Sequence, residues 1–189
     1  MNKNRILINE IKNFNGINSA YLNVALVLIG TLLLAISAKV QVPFWPVPMT
    51  MQTFVVFLIG TTYSIRLSFI TLIIYLFEGA LGLPVFASGG GIAYLSGPTA
   101  GYLYGMTISA VLISYLANKG FTLTYVKTII TLLVASIIIF AFGIIYLGSI
   151  IGYEKAIQVG LLPFIPSEIF KIALAVAIIP TLHNFVKNK

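Results

Sequence analysis

Residues 126–151 read VKTIITLLVASIIIFAFGIIYLGSII, and after Lys127 the stretch carries no charge. Roughly 20 apolar residues already cross about 30 Å of hydrocarbon as a helix, so this run is long enough to span a membrane with tilt. Further apolar segments cover 21–40, 50–64, 67–83, 98–117 and 167–186. Six transmembrane helices are the economical count. The segments 50–64 and 67–83 are separated by little more than Arg66 and are expected to form a tight helical hairpin. The expected fold class is all-α: a polytopic membrane protein with one membrane domain over 1–189. It comprises a polar tail over 1–19 and a six-helix bundle over 20–187.

Composition agrees. Hydrophobic residues make up 59% of the 189 residues and charged residues 8%, with a mean hydropathy of +1.05, far from the quarter-charged make-up of soluble domains. The net charge of +7 does not point to nucleic acid, because the basic residues are scattered singly between apolar runs instead of forming a patch. The chain has no cysteine, which excludes disulfides, thiolate metal sites and a cysteine nucleophile together. No spaced-glycine nucleotide loop ending in lysine and serine or threonine is present.

The charges also orient the chain. With both termini in the cytoplasm, Lys3, Arg5, Lys12, Arg66, Lys119, Lys127, Lys187 and Lys189 lie inside and only Lys39, Lys155 and Lys171 lie towards the outside, the asymmetry expected of cytoplasmic loops. Three unusual stretches then meet at the outer surface. The first, Val42-Pro43-Phe44-Trp45-Pro46-Val47-Pro48, holds three prolines that prevent a helix; Trp45 fits either an interfacial anchor or a ligand contact. Gln52, just beyond it, fits a polar contact or helix–helix glue. The second is the charge-free stretch 82–102, where Ser88 is followed by Gly89, Gly90 and Gly91, whose backbone can approach a small ligand closely, while Phe86 and Tyr94 supply flat apolar surface. A plain flexible loop fits the same composition.

The third stretch is Pro163-Phe164-Ile165-Pro166-Ser167-Glu168-Ile169-Phe170-Lys171. Pro166 is expected to break the preceding structure and Ser167 to cap a new helix, leaving Lys171 about one turn deep, roughly 5 Å by helix rise. Glu168 and Lys171 share one helix face. Hydrocarbon penalises isolated charges by kilocalories, so such a pair is by default a binding-site hypothesis with each charge as the other's partner; a snorkelling lysine beside a solvated glutamate is the bland rival. Glu78 reads as an interfacial or helix-packing acid, since one acid makes no proton relay. His183 reads as interfacial, because a metal site needs more ligands than its surroundings offer.

Four ordered motifs carry a resemblance. Pro46-Val47-Pro48-Met49-Thr50-Met51-Gln52-Thr53, Gly79-Ala80-Leu81-Gly82-Leu83-Pro84-Val85-Phe86, Gly97-Pro98-Thr99-Ala100-Gly101-Tyr102, and Pro163-Phe164-Ile165-Pro166 followed by an acid and a lysine resemble the BioY family, the biotin-binding S components of energy-coupling-factor (ECF) transporters. The resemblance covers roughly residue 21 to the C-terminus. It implies an S-component fold in the cell membrane that captures biotin at the outer face. It also implies partners, a transmembrane coupling subunit and two ATPase subunits, with no cofactor and no catalytic residue in this chain.

By that resemblance Glu168 and Lys171 are ligand contacts, with Glu168 standing where the family usually has aspartate. Ser88 or the backbone of Gly89, Gly90 and Gly91 replaces a polar loop residue, and Trp45, Phe86 and Tyr94 cover the ligand's rings. Biotin's ureido ring offers two N–H donors and one strong acceptor, which suits a carboxylate beside an ammonium. Three other functions remain to be separated by experiment: an S component for another vitamin, a solitary secondary transporter, and an intramembrane enzyme using Glu168 and Lys171 as acid and base.

Overall fold

The computed structural model describes the backbone of residues 19–187 and the side chains of 20–181. Residues 1–18 of the tail expected over 1–19 and the side chain of His183 lie outside the described residues. Seven α-helices are present among them: α1 (Ser19–Lys39), α2 (Gln52–Thr62), α3 (Ile65–Ala80), α4 (Ala100–Asn118), α5 (Tyr125–Ile151), α6 (Tyr153–Gly160) and α7 (Phe164–Lys187). Four of these, α1, α4, α5 and α7, are long and apolar enough to cross a membrane. At 11 and 16 residues, α2 and α3 rise only about 16 and 24 Å, and each falls short of a full crossing by itself.

Helix α4 is the centre of the bundle. On one side Gly60 of α2 lies against Ile113, where an added Cβ would sit 2.7 Å from the Ile113 Cβ. On the other, Gly105 lies against the backbone of α5, with an added Cβ 2.9 Å from the Ile139 Cα. Small residues at a seam let backbones approach closely, and van der Waals contact then replaces the hydrophobic drive that hydrocarbon lacks. Hydroxyls add the polar glue: Ser109 donates to the Ala135 carbonyl across the α4–α5 seam at 2.9 Å, and Ser114 joins α4 to the last turn of α2 through the Gly60 carbonyl at 2.8 Å.

The hairpin of α2 and α3 turns at Tyr63 and Ser64, and Ser64 caps α3 by accepting from the Leu67 amide at 3.4 Å. Helix α1 lies at the edge, held where Tyr63 donates to the Leu26 carbonyl at 2.7 Å. Leu28, Leu32 and Ile36 of α1 are exposed, as befits a helix with one face in lipid.

The C-terminal ends of α1, α3 and α5 and the N-terminal ends of α2, α4 and α7 share one end of the bundle, and the long connections gather there as a cap. Strands β1 (Gln41–Val42) and β2 (Met49–Thr50) pair antiparallel, Gln41 opposite Thr50 and Val42 opposite Met49, so the proline-rich stretch forms a short ribbon with a cis Trp45–Pro46 peptide. The stretch 81–99 folds back through a tight turn in which Phe86 and Gly89 exchange backbone hydrogen bonds, then a 3₁₀ turn at Ile92–Ser96. Gly89 and Gly91 have φ of 141° and 104°, a backbone region that side-chain-bearing residues rarely enter.

Two expectations are corrected. Helix α7 starts at Phe164, not at Ser167, so Pro166 sits in its first turn and Ser167 is no cap. The first-turn N–H groups have no intrahelical acceptor, so a proline there forfeits nothing, and Lys171 consequently lies two turns in, about 10 Å from the helix start. Between α5 and α7 the amphipathic α6 is an addition, entered through Gly152 at φ 87°.

The seam makes a test. Gly105→Leu is expected to destabilise the bundle by on the order of 1–3 kcal/mol, lowering the thermal midpoint in detergent by roughly 2–10 °C. An unchanged midpoint would contradict the close α4–α5 approach.

Candidate ligand-binding site

Three helices meet at the charged pair. Lys171 Nζ lies 2.7 Å from Glu168 Oε2, and the two residues are only 3% and 4% exposed. Burial at that depth costs each ion several kcal/mol unless hydrogen bonds replace the lost water. Thr53 on α2 supplies them in both directions: its hydroxyl donates to Glu168 Oε2 at 3.0 Å and accepts from Lys171 Nζ at 2.6 Å. The three groups close a triangle. Lys171 also donates to the Thr50 carbonyl at 3.2 Å, and Ser136 of α5 donates to Glu168 Oε1 at 2.9 Å. The ammonium's three hydrogens are thus all directed at protein acceptors. Of the carboxylate's roughly four lone-pair positions, one on Oε1 is left without a protein donor.

A second polar line starts beside the first. The Thr50 hydroxyl donates to Gln52 Oε1 at 3.2 Å, Gln52 Nε2 donates to the Tyr75 hydroxyl at 2.7 Å, and Tyr75 donates to the Val85 carbonyl at 2.9 Å. Gln52 therefore belongs both to the site and to the tie between α3 and the cap.

These polar groups form one pole of a cavity under the cap, lined by α2, α4, α5, α7 and the cap loops. Its empty volume, the opening included, is about 520 Å³. The wall is aromatic. Tyr102 stacks on Phe164 with centroids 6.4 Å apart, Phe140 meets both edge-on at 6.2 and 6.1 Å, and Tyr102 donates to the Gly160 carbonyl at 2.9 Å, fixing the α6–α7 turn. Phe86 forms the lid: fully buried, stacked on Tyr94 at 4.8 Å and edge-on to Tyr75 at 5.4 Å. It lies so close to Gly79 that a side chain there would overlap its ring.

Of the residues singled out from sequence, Glu168, Lys171, Gln52, Phe86 and Tyr94 come together around this cavity. Ser88 lies instead in an adjoining groove with Pro46 and Pro98, which shares Pro48, Tyr94 and Thr99 with the cavity wall. Gly89, Gly90 and Gly91 line neither; they make the turn, with Gly90 pressed against the Leu83 backbone. Trp45 points away, 76% exposed, with the Lys155 ammonium 6.0 Å from its ring centre. The sequence reading missed Thr53, Ser136, Tyr102, Phe140 and Phe164. Ser136 stands out as a lone hydroxyl in the middle of the apolar run of α5, and that is a signal of sorts. Among the described residues no cluster of three or more histidine, cysteine or acidic side chains could hold a metal.

Comparison with known proteins agrees with this architecture. The chain is 33% identical over 184 residues to the "Probable biotin transporter BioY" of Rickettsia prowazekii (strain Madrid E), an alignment covering 97% of this chain and 92% of that one. It is 38% identical over 162 residues to the protein of the same description from Pyrococcus horikoshii, covering 85% and 96%. Its structure superposes on the crystal structure of the S-component for biotin from an ECF-type ABC transporter with a TM-score of 0.77 at 25% identity, over 88% of this chain and 93% of that one. The BioY family model matches residues 10–188. The chain belongs to the BioY family.

Proposed function

We propose that this protein is a membrane-embedded biotin uptake component that binds biotin in the capped cavity and hands it on within an ECF transporter. The observation that carries the reading is the buried triangle of Glu168, Lys171 and Thr53 at the polar pole of an aromatic cavity, in a chain of the BioY family. Biotin is the cargo, not a cofactor, and the protein is a transporter, not an enzyme.

The ligand's chemistry sets its orientation. A ureido N–H fits the remaining Oε1 lone pair of Glu168, while the ureido carbonyl draws a donor from Lys171. The valerate carboxylate belongs at the opposite end, by the groove holding Ser88 and Thr99, because a second carboxylate beside Glu168 would repel it. Tyr102, Phe140 and Phe164 clasp the bicyclic ring from the wall and Phe86 and Tyr94 from the lid. Lys171 must loosen one of its protein acceptors to donate to the ligand, so binding exchanges internal bonds for ligand bonds.

In the membrane the chain is read as one domain with its cap outside and both termini in the cytoplasm, supported by the lysine and arginine asymmetry. Six crossings follow if α2 and α3 traverse as a hairpin, the cap filling the remaining thickness. The setting is the cell membrane. The chain has no nucleotide-binding loop, so ATP is hydrolysed by partners: a transmembrane coupling subunit and two ATPase subunits.

The deciding measurement is equilibrium binding of biotin to the detergent-solubilised chain, with competitors. Saturable binding is expected, and a ring system without the ureido group should be rejected at least about tenfold, since one buried unpaired polar group costs about 1–3 kcal/mol. Failure of a folded sample to bind biotin while it binds another vitamin would refute the reading. Lys171→Ala is expected to abolish detectable binding and to lower the thermal midpoint, because it strands a buried carboxylate. The double variant Glu168→Gln/Lys171→Met removes both charges and should recover the midpoint without recovering binding. Recovery of both would show that the pair is structural only. Thr53→Val, measured by the same titration, should weaken affinity by roughly 5- to 100-fold; an unchanged affinity would remove the threonine from the site.

A further inference from the structure

Besides the backbone bonds it exchanges with Gly89, the lid residue Phe86 sits in a turn held by residues distant in sequence. Three consecutive carbonyls of its turn are each taken by a side chain from another element. Tyr75 of α3 donates to the Val85 carbonyl at 2.9 Å. Lys39, the last residue of α1, donates through Nζ to the Phe86 carbonyl at 2.6 Å and to the Ala87 carbonyl at 3.4 Å. Gln41 of β1 donates through Nε2 to the Ala87 carbonyl at 3.2 Å. The Phe86 ring is fully buried over the cavity and Ala87 is 6% exposed, so the turn is closed down although it belongs to a long connection.

We propose that Lys39 is the latch of this lid: a positioning residue whose ammonium pins the Phe86 and Ala87 carbonyls to the end of α1 and thereby sets how long the cavity stays shut over its ligand. Lys39 does not line the cavity and acts on the ligand only through Phe86. An ammonium suits the task for two reasons. Its hydrogen bonds to carbonyls are charge-assisted and stronger than neutral ones, and several donors on one nitrogen can hold two adjacent carbonyls at once. The end of α1 also carries the ribbon, since the Met51 amide donates to the Val40 carbonyl at 3.0 Å. Lid and ribbon therefore share one anchor, and a displacement of α1 moves both. That the ligand under the lid is biotin rests on the proposed function; the latch itself does not.

Two readouts test this on the solubilised full chain. The protein has no cysteine, so Ala87→Cys places a single buried thiol in the lid, whose rate of maleimide labelling in the ligand-free protein reports opening. Lys39→Met in that background should speed labelling by about tenfold or more, and Lys39→Arg should return it to within about threefold of the parent. Without the reporter cysteine, Lys39→Met should accelerate biotin release by a similar factor while association changes less than about threefold, the signature of a loosened lid. If Lys39→Met does not fold, Gln41→Ala removes the neighbouring donor and should give the same pattern, smaller. Labelling unchanged by Lys39→Met overturns the latch. Accelerated labelling in a protein that never binds biotin leaves the latch standing and overturns the biotin reading.

Discussion

Two opposite charges placed where water cannot reach them constrain everything around them. An unpartnered ion at that depth is not sustainable, so Glu168 and Lys171 dictate what the surrounding helices must offer: a hydroxyl that both donates and accepts from α2, a second hydroxyl from α5, and a free backbone carbonyl at the start of α2. The last requirement explains why α2 begins where it does. Thr50 lies in the ribbon just ahead of the helix, where its carbonyl is available to the ammonium. The glycine-lined seams of α4 serve the same end, because only a close approach of α2, α4 and α5 brings Thr53 and Ser136 within reach of α7.

Much of this architecture was legible in the residues. The apolar runs marked α1, α4 and α5 to within a residue or two, because membrane helices must be both long and apolar. The start of α7 was misjudged because a proline ordinarily reads as a stop, whereas in a first turn it is neutral. Helix α6 went unseen because eight mixed residues, TyrGluLysAla onward, bury only Ala156 and Gly160, too little for any periodicity.

The charged pair announced itself by rarity, but its partners did not. A threonine in a membrane helix usually satisfies itself on the preceding turn, as Thr61, Thr71 and Thr131 do here, and nothing in the letters distinguishes Thr53, which reaches across instead. The glycine run misled in the other direction. Its backbone freedom is consumed by the turn that tucks Phe86 under the cap, so the phenyl ring and not the glycines lines the cavity. Trp45 carried the strongest aromatic signal of the proline stretch and faces outward, while the aromatic wall is built from Tyr102, Phe140 and Phe164, ordinary members of apolar helices.

The position of the pair on α7 bears on how the chain is made. Helices emerge in order, N-terminal first, and a lone lysine in the middle of a membrane helix costs at least about 2.5–3.5 kcal/mol to insert. Here the acid and the lysine travel on the same helix, one turn apart, and can neutralise each other during entry. By then α2 and α5, bearing Thr53 and Ser136, have already been synthesised. The helix that carries the buried charge pair thus follows α2 and α5, entering a socket whose hydroxyls precede it in the chain.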